Sequence, residues 1–278
     1  MKSIAIKTNN KVYTKYLLEK LKKFNTDNIY FSCKKFKIYQ NIIIHYMGQD
    51  NLQFLNEISE ILSKLVIDNT EEYFLKKIIQ HEYFYFDTLE KNDIFNLAIE
   101  DEEEANYENS FEALYNDFFE YLLENKSLIL DGFIPFRIKK YLSILEERID
   151  IAVNKYLIES EYSEFVSLLK MYISLEPSKT KLIHLIYYNS NSTLLDNNKN
   201  VIPLDSNMLN AKYLSDISFS SNDLALNALL TLLPQKIYVH LIDENQDEFI
   251  STLKLIFENR LVICTECTIC NIYKKIVR

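Results

Sequence analysis

Cys264, Cys267 and Cys270 form a C-x-x-C-x-x-C run close to the end of the 278-residue chain. Residues spaced this way, on short loops or a helical turn, can converge three thiolates on one ion. Soft thiolates favour Zn²⁺, Cu(I) or an iron–sulfur cluster. A closed zinc site needs a fourth ligand, and the bacterial ferredoxin run adds a fourth cysteine followed by proline. Here Asn271-Ile272-Tyr273 follows instead. His240, His184 or Cys33 could complete the set, and so could a second subunit. His240 falls on an expected strand near the cluster in sequence. Arg260, Lys274 and Lys275 are close enough in sequence to lower the thiol pKa values. The same cysteines therefore also suit redox or regulatory thiols, or plain unliganded ones. Zinc or an iron–sulfur cluster are the cofactors they admit.

Other chemistry-bearing residues point less far. His45, His184 and His240 fall in apolar stretches, where a histidine is usually a hydrogen-bonded core residue. His81-Glu82 opens like a zincin motif, but the second histidine four residues on is missing. The run Asp101-Glu102-Glu103-Glu104 lacks the spaced oxygen ligands of a calcium loop and reads as a solvated segment. With Gly48 and Gly132 as the only glycines, no Walker A loop, dinucleotide fingerprint, kinase glycine loop or G-x-S-x-G elbow can be written. Phosphate cradling by a glycine-rich loop is excluded, although a helix N-terminus could still hold an anion. No residue is singled out as catalytic, and the sequence leaves open whether the protein is an enzyme.

The elements that must position these residues can be read from apolar periodicity. Residues 3–8 alternate as a strand. Tyr13, Tyr16, Leu17, Leu21 and Phe24 give a helix over 11–24. Two strands at 29–38 and 41–47 suggest a hairpin around Gln40-Asn41. Leu52, Leu55, Ile58, Leu62, Leu65 and Val66 form a helical stripe, and 71–99 reads as helical too. Phe111, Leu114, Tyr115, Phe118, Leu122 and Leu123 mark another amphipathic helix. Asp131-Gly132 is a turn signal, with Pro135 suited to the first turn of a helix. Ile138, Tyr141, Leu142, Leu145, Ile149, Ala152, Val153 and Tyr156 then make one long stripe. Its phase slips at Glu159-Ser160-Glu161, which predicts a kink or break, and it resumes through Tyr162, Phe165, Val166, Leu169 and Tyr172. Downstream come a strand at 181–188, a hairpin at 194–202 turned by Asp and Asn, and a helix at 219–233 capped by Ser220 or Ser221 and stopped by Pro234. A strand at 236–242, a helix at 246–258 and a strand at 260–264 complete a β-α-β unit. The expected class is α+β: helix-rich, with two mixed α/β lobes around a helical middle. The lobes are residues 1–48 (β-α-β-β) and 179–278 (α/β with the cysteine-rich end), and the middle is 49–178.

Composition sets the outer bounds. The chain is 48% hydrophobic and 26% charged, with a formal net charge of −9. No stretch nears the roughly 18–20 apolar residues a bilayer crossing needs, so no transmembrane segment is expected. The start lacks the apolar run of a signal peptide, and the cysteines do not form a secreted disulfide framework, so the expected compartment is the cytoplasm. Charge is polarised: residues 1–40 carry ten lysines, and residues 82–124 carry fourteen acidic residues against Lys91. Each patch reads as a solvated face, or the two meet. Nucleic acid is not the expected partner, because the lysines spread over a strand–helix–strand pattern with no accompanying recognition motif.

The segment Gly132-Phe133-Ile134-Pro135-Phe136-Arg137-Ile138-Lys139-Lys140-Tyr141, read as G-F-x-x-F-R-x-x-x-Y, is followed by D-x-A-V-x-x-Y-L at Asp150–Leu157 and E-Y-x-E-F at Glu161–Phe165. This combination resembles the YtxC-like sporulation proteins of endospore-forming Firmicutes. The similarity is strongest over about residues 131–185. Length and downstream order match as well: a strand carrying His184, a hairpin, then a cysteine-rich end. The resemblance implies a cytoplasmic protein linked by name to sporulation, and it implies no activity and no catalytic residues. Together with the absence of recognised catalytic motifs, it leads to the expectation of a protein that acts by binding a protein partner. In the matched stretch Phe133, Phe136, Tyr141, Tyr156 and Phe165 sit at core spacing. Arg137, Glu159 and Glu164 suit buried ion pairs that fix helix register, or a partner site.

Overall fold

The structure, a computed structural model, describes residues 2–23, 28–100, 104–204 and 219–276. It is a helix-rich α+β fold in which contacts separate two compact units, Met1–Ile158 and Glu159–Arg278.

In the first unit, β1 (Lys2–Thr8) alternates as its sequence does. Ile4, Ile6 and Thr8 are buried, and the residues between them are half-buried. Antiparallel pairing with β3 (Gln40–Tyr46) sets Ile4 opposite Ile44 and Ile6 opposite Ile42, so one face of the sheet is apolar. β2 (Ile29–Lys35) flanks β3. The turn between them lies at 36–39, where the Phe36 N–H donates to the Tyr39 carbonyl at 2.8 Å. Gln40 and Asn41, expected at the turn, are instead ladder residues opposite Lys35 and Lys34. A short strand that periodicity does not reveal, β4 (Ser127–Ile129), pairs parallel with β1 and gives the order β2-β3-β1-β4.

Helices cover the apolar face. α1 (Lys11–Lys23) buries Thr14, Leu17 and Leu21. α2 (Asn51–Glu82) starts where the Asp50 carboxylate accepts the Leu52 and Gln53 N–H groups, and it buries Phe54, Leu55, Ile58, Leu62, Leu65 and Val66. The expected helical stretch at 71–99 is split. Tyr83–Asp87 intervenes, and the Asp87 carboxylate accepts the Leu89 and Glu90 N–H groups to start α3 (Thr88–Glu100). α4 (Glu104–Glu124) buries Leu114, Phe118 and Leu122 against α2. Of the acidic run, Asp101–Glu103 lies outside the described residues.

α5 (Leu130–Arg137) and α6 (Lys139–Leu175) correct four expectations. Asp131-Gly132 is no turn. Both residues are helical in α5, and the break falls at Ile138. α6 runs through Glu159–Glu161 without interruption. The phase slip there marks a change of core: side chains from Tyr141 to Val153 join the core of the first unit, and Val166 and Ile173 join that of the second. Finally, Arg137, Glu159 and Glu164 are exposed rather than buried, and Arg137 lies over the Tyr121 ring. Phe133 and Tyr141 are core residues and Tyr156 packs at the core edge, whereas Phe136 and Phe165 are 76% and 49% exposed. The buried ion pair of this stretch is Arg148 with Glu71, at 3.0 Å.

The second unit is built on a sheet of order β7-β6-β5-β8-β9. β5 (Thr180–Tyr188) pairs parallel with β8 (Pro234–Leu241), and β8 pairs parallel with β9 (Leu261–Cys264). β6 (Asn191–Leu195) and β7 (Val201–Ile202) continue it antiparallel. The β6–β7 turn is set by Asp196, whose carboxylate accepts the N–H groups of Asn198 and Asn200 at 2.8 Å. α7 (Ser221–Leu232) is capped by Ser220 in a reciprocal pair with Asp223 and ends at Leu233, in the left-handed conformation. α8 (Glu248–Phe257) is capped by Asp247, which also accepts from the Tyr187 hydroxyl. Because strand side chains alternate, Ile183, Leu185, Tyr187, Ile237, Val239 and Leu241 share a core with α7 and α8. His184, Ile186, His240 and Ile242 occupy the alternate positions. There Ile186, Leu195 and Ile242 cluster with Ile269 and Cys270 of α9 (Thr268–Ile276), a helix the sequence reading did not anticipate.

Candidate metal centre

Three neighbouring elements bring the candidate ligands together. Parallel pairing of β8 and β9 sets His240 opposite Cys264. The chain then turns, and Cys267 and Cys270 lie just before and within the first turn of α9. Ile269 and Cys270 are the buried residues of α9, so the apolar side that seats the helix also carries a sulfur inward.

The side-chain atoms of His240, Cys264, Cys267 and Cys270 all lie within 4.8 Å of one another. His240 Nδ1 is 3.3 Å from Cys267 Sγ and 3.3 Å from Cys270 Sγ. Cys270 Sγ is 3.7 Å from Cys267 Sγ and 3.9 Å from Cys264 Sγ. A tetrahedral ion with metal–sulfur bonds of about 2.3 Å and a metal–nitrogen bond of about 2.0 Å requires S···S edges of roughly 3.8 Å and S···N edges of roughly 3.6 Å. These four distances match those figures to within a few tenths of an ångström, whereas the 4.8 Å that encloses all four atoms exceeds a tetrahedral edge by about 1 Å, so the cluster must draw in to close on one ion. This cluster could hold a single metal ion.

Electrostatics favours ligation at His240 and Cys267 and opposes it at Cys270. Burial holds the His240 imidazole down to about 4, with the neighbouring His184 adding to the effect, so the ring is neutral at pH 7 and has a lone pair to give. Burial pushes the Cys270 thiol up to about 12. At Cys267 burial acts in the same direction, but the backbone N–H of Cys270 and bonds from the neighbouring thiols outweigh it and lower the thiol below its usual value. Two of the three cationic side chains expected to act on the thiols are engaged elsewhere. Arg260 donates to the Ile173 and Pro234 carbonyls, and Lys274 pairs with Glu244 at 3.2 Å.

Of the three fourth-ligand candidates, the structure brings His240 to the sulfurs. His184 stands behind it, with Nδ1 at 2.9 Å from His240 Nε2. Cys33 is exposed on β2 of the first unit. His45 is a strand histidine bonded to the Ser3 hydroxyl at 2.8 Å.

Sequence reasoning missed the Arg148–Glu71 pair in the first unit. Arg148 Nε also donates to the Ala98 carbonyl at 2.6 Å, and the Tyr141 hydroxyl donates to Glu71 at 3.3 Å. A cleft of about 750 Å³ opens beside the pair, with Asp68, Tyr73 and Lys76 among its lining residues. The signal was present: Arg148 follows Tyr141 and Leu145 at helical spacing on the buried stripe, where a charge demands a partner.

A family model described as the YtxC-like family matches residues 56–262. The chain belongs to the YtxC-like family. The matched span takes in His184 and His240 and stops two residues before Cys264, so the cysteine cluster stands on geometry alone. A relative with the printed name uncharacterized protein YtxC, from Bacillus subtilis (strain 168), is 21% identical over 211 residues, covering 72% of this chain and 74% of that protein. No solved structure matches. Among the described residues, no helix of this YtxC-like chain is long and apolar enough to cross a membrane.

Proposed function

We propose that the second unit of this YtxC-like protein is a metal-stabilised module, in which His240, Cys264, Cys267 and Cys270 bind one Zn²⁺ that pins α9 to the sheet. The observation that carries this reading is the convergence of one imidazole nitrogen and three sulfurs within 4.8 Å, with four of their six separations matching the edges of a tetrahedron about one ion. An iron–sulfur cluster spreads its ligands over two or more irons, which needs wider separations than the 4.8 Å that encloses all four groups here. Three thiolates and an imidazole fill a four-coordinate ion, leaving no open position for substrate water. That supports a structural rather than a catalytic role.

Elemental analysis of protein purified without chelator, together with Zn²⁺ titration of the stripped protein, tests this. One equivalent of zinc is expected, lost in Cys270→Ser. Stoichiometric iron, or no metal in either measurement, counts against it. Binding must displace thiol protons, above all from Cys270, so the apparent affinity should fall as pH is lowered.

A second reading, support for a cytoplasmic step of sporulation through a protein partner, rests on the family resemblance. It is favoured by the aromatic and aliphatic side chains that α6 leaves in solvent, among them Tyr162, Phe165, Leu168, Met171 and Tyr172 at 38–56% exposure. A gene deletion that leaves spore counts unchanged, or a pull-down from sporulating cells that recovers only background, would remove it.

A further inference from the structure

The imidazole of His240 is addressed from both sides. Its Nδ1 faces Cys267 and Cys270 at 3.3 Å each, and its Nε2 lies 2.9 Å from Nδ1 of His184. The two rings stack, with centroids 5.1 Å apart and an interplanar angle of 28°. His184 is itself sandwiched, since its ring also stacks on Tyr238 at 5.7 Å. Strand register explains the arrangement. In the parallel β5–β8 ladder His184 pairs with Tyr238 and Ile186 pairs with His240, so both histidines project from the same face two residues apart along the strands.

A neutral imidazole has one N–H and one lone pair. The sulfurs sit at Nδ1, so an ion bound there takes the Nδ1 lone pair and the proton of His240 must sit on Nε2. That N–H is buried, with His240 only 2% exposed, and it needs an acceptor. Nδ1 of His184 is in place to be that acceptor, which in turn puts the proton of His184 on its own Nε2. The opposite pair of tautomers would aim an N–H from His240 into the sulfurs and close the site to a cation.

We propose that His184 is a positioning residue for the metal centre: it accepts the Nε2–H of His240, and His240 therefore ligates through Nδ1. This rests on the reading of the cluster as a zinc centre. It assigns His184 to the support of the site and not to the ligand set. Partners of this kind fix ring orientation and tautomer, and losing one typically weakens metal binding about 10–100-fold.

The test uses the full chain with Zn²⁺ as the only added ligand. Affinity is read by competition with a chromophoric chelator, and the tautomer by long-range ¹⁵N–¹H correlation of histidine-labelled protein. In the zinc-loaded wild type the His240 proton is expected on Nε2. His184→Leu, which keeps an apolar body against Tyr238 but offers no acceptor, is expected to bind zinc about 10–100-fold more weakly. His184→Gln, whose amide oxygen can accept, is expected to recover part of the loss. Ligation of zinc through Nε2 of His240 would overturn the inference, and so would undiminished affinity in a folded His184→Leu protein. If His184→Leu does not fold, the tautomer in the wild type decides. A wild type that binds no zinc removes the metal centre and this inference together. A wild type that binds zinc with no sensitivity to residue 184 removes the inference alone.

Discussion

Arg148 shows what a single residue can decide in this chain. It is 6% exposed, its Nη1 lies 3.0 Å from Glu71, and its Nε is committed to the Ala98 carbonyl. Three elements, α2, α3 and α6, are thereby tied through one guanidinium. Breaking a buried pair from one side leaves an uncompensated charge, so Arg148→Met is expected to destabilise the protein by about 3–5 kcal/mol. Removing both charges, as Arg148→Met with Glu71→Leu, leaves no unpaired charge and should cost clearly less than the single change, although the Ala98 carbonyl and the Tyr141 hydroxyl lose these bonds in it. Urea unfolding of the wild type, both single variants and the double variant checks this. A double variant as unstable as Arg148→Met would mean that the carbonyl bond to Ala98, and not the charge pair, carries the cost. The same residue marks a limit of pattern reading. Helical spacing puts position 148 on the buried side of α6, but no spacing rule says that its partner lies at 71, on another helix.

At the scale of elements, most of the secondary structure was legible because each element repeats its own period. β1 alternates, α2 and α4 carry 3.6-residue stripes, and Ser220 and Asp247 cap helices as their residue types favour. What failed was local punctuation overruled by packing. Asp131-Gly132 has the residues of a turn, yet both are helical, because Leu130, Phe133 and Ile134 on the same short helix are buried. β4 escaped notice because three residues cannot display a period, and its partner β1 lies some 120 positions away. α9 escaped because its cysteines read as ligands before they read as helix residues. Gly132 turns the first of these failures into a prediction. Its φ is not positive, and a Cβ added there meets no heavy atom within 4 Å. A helical glycine in open space costs conformational entropy and gives no packing in return. Gly132→Ala should therefore raise stability by about 0.4–1 kcal/mol, read as a higher denaturant midpoint at unchanged slope. A loss of stability would mean that the glycine serves a backbone conformation the helix does not have.

Across the whole molecule, sequence periodicity reports local shape but not which core a side chain joins. The stripe of α6 reads as one feature with a slip, but Tyr141 to Val153 belong to one core and Val166 and Ile173 to another. The candidate site was legible for a different reason: cysteine spacing is itself a chemical constraint, and it located three of the four groups. The choice of His240 over His184 was not legible, because both lie on apolar strands and only the ladder register decides which faces the sulfurs. All four groups belong to the second unit, from β8, β9 and the start of α9, and this fixes where metal should matter. Ligand binding stabilises what it binds by RT ln(1 + [L]/Kd), about 4 kcal/mol at a thousandfold excess over Kd. Withdrawing zinc from loaded protein with a chelator should therefore speed amide hydrogen exchange most in α9 and β9, by at least about tenfold, with a smaller effect in β8. Amides of β1 and β3 in the first unit should keep their protection. Equal loss of protection in both units would show that the ion supports more than the module that holds it. An α9 that exchanges at the same rate with and without metal would show that its buried Ile269 and Cys270 suffice to seat it, and that the ion has another task.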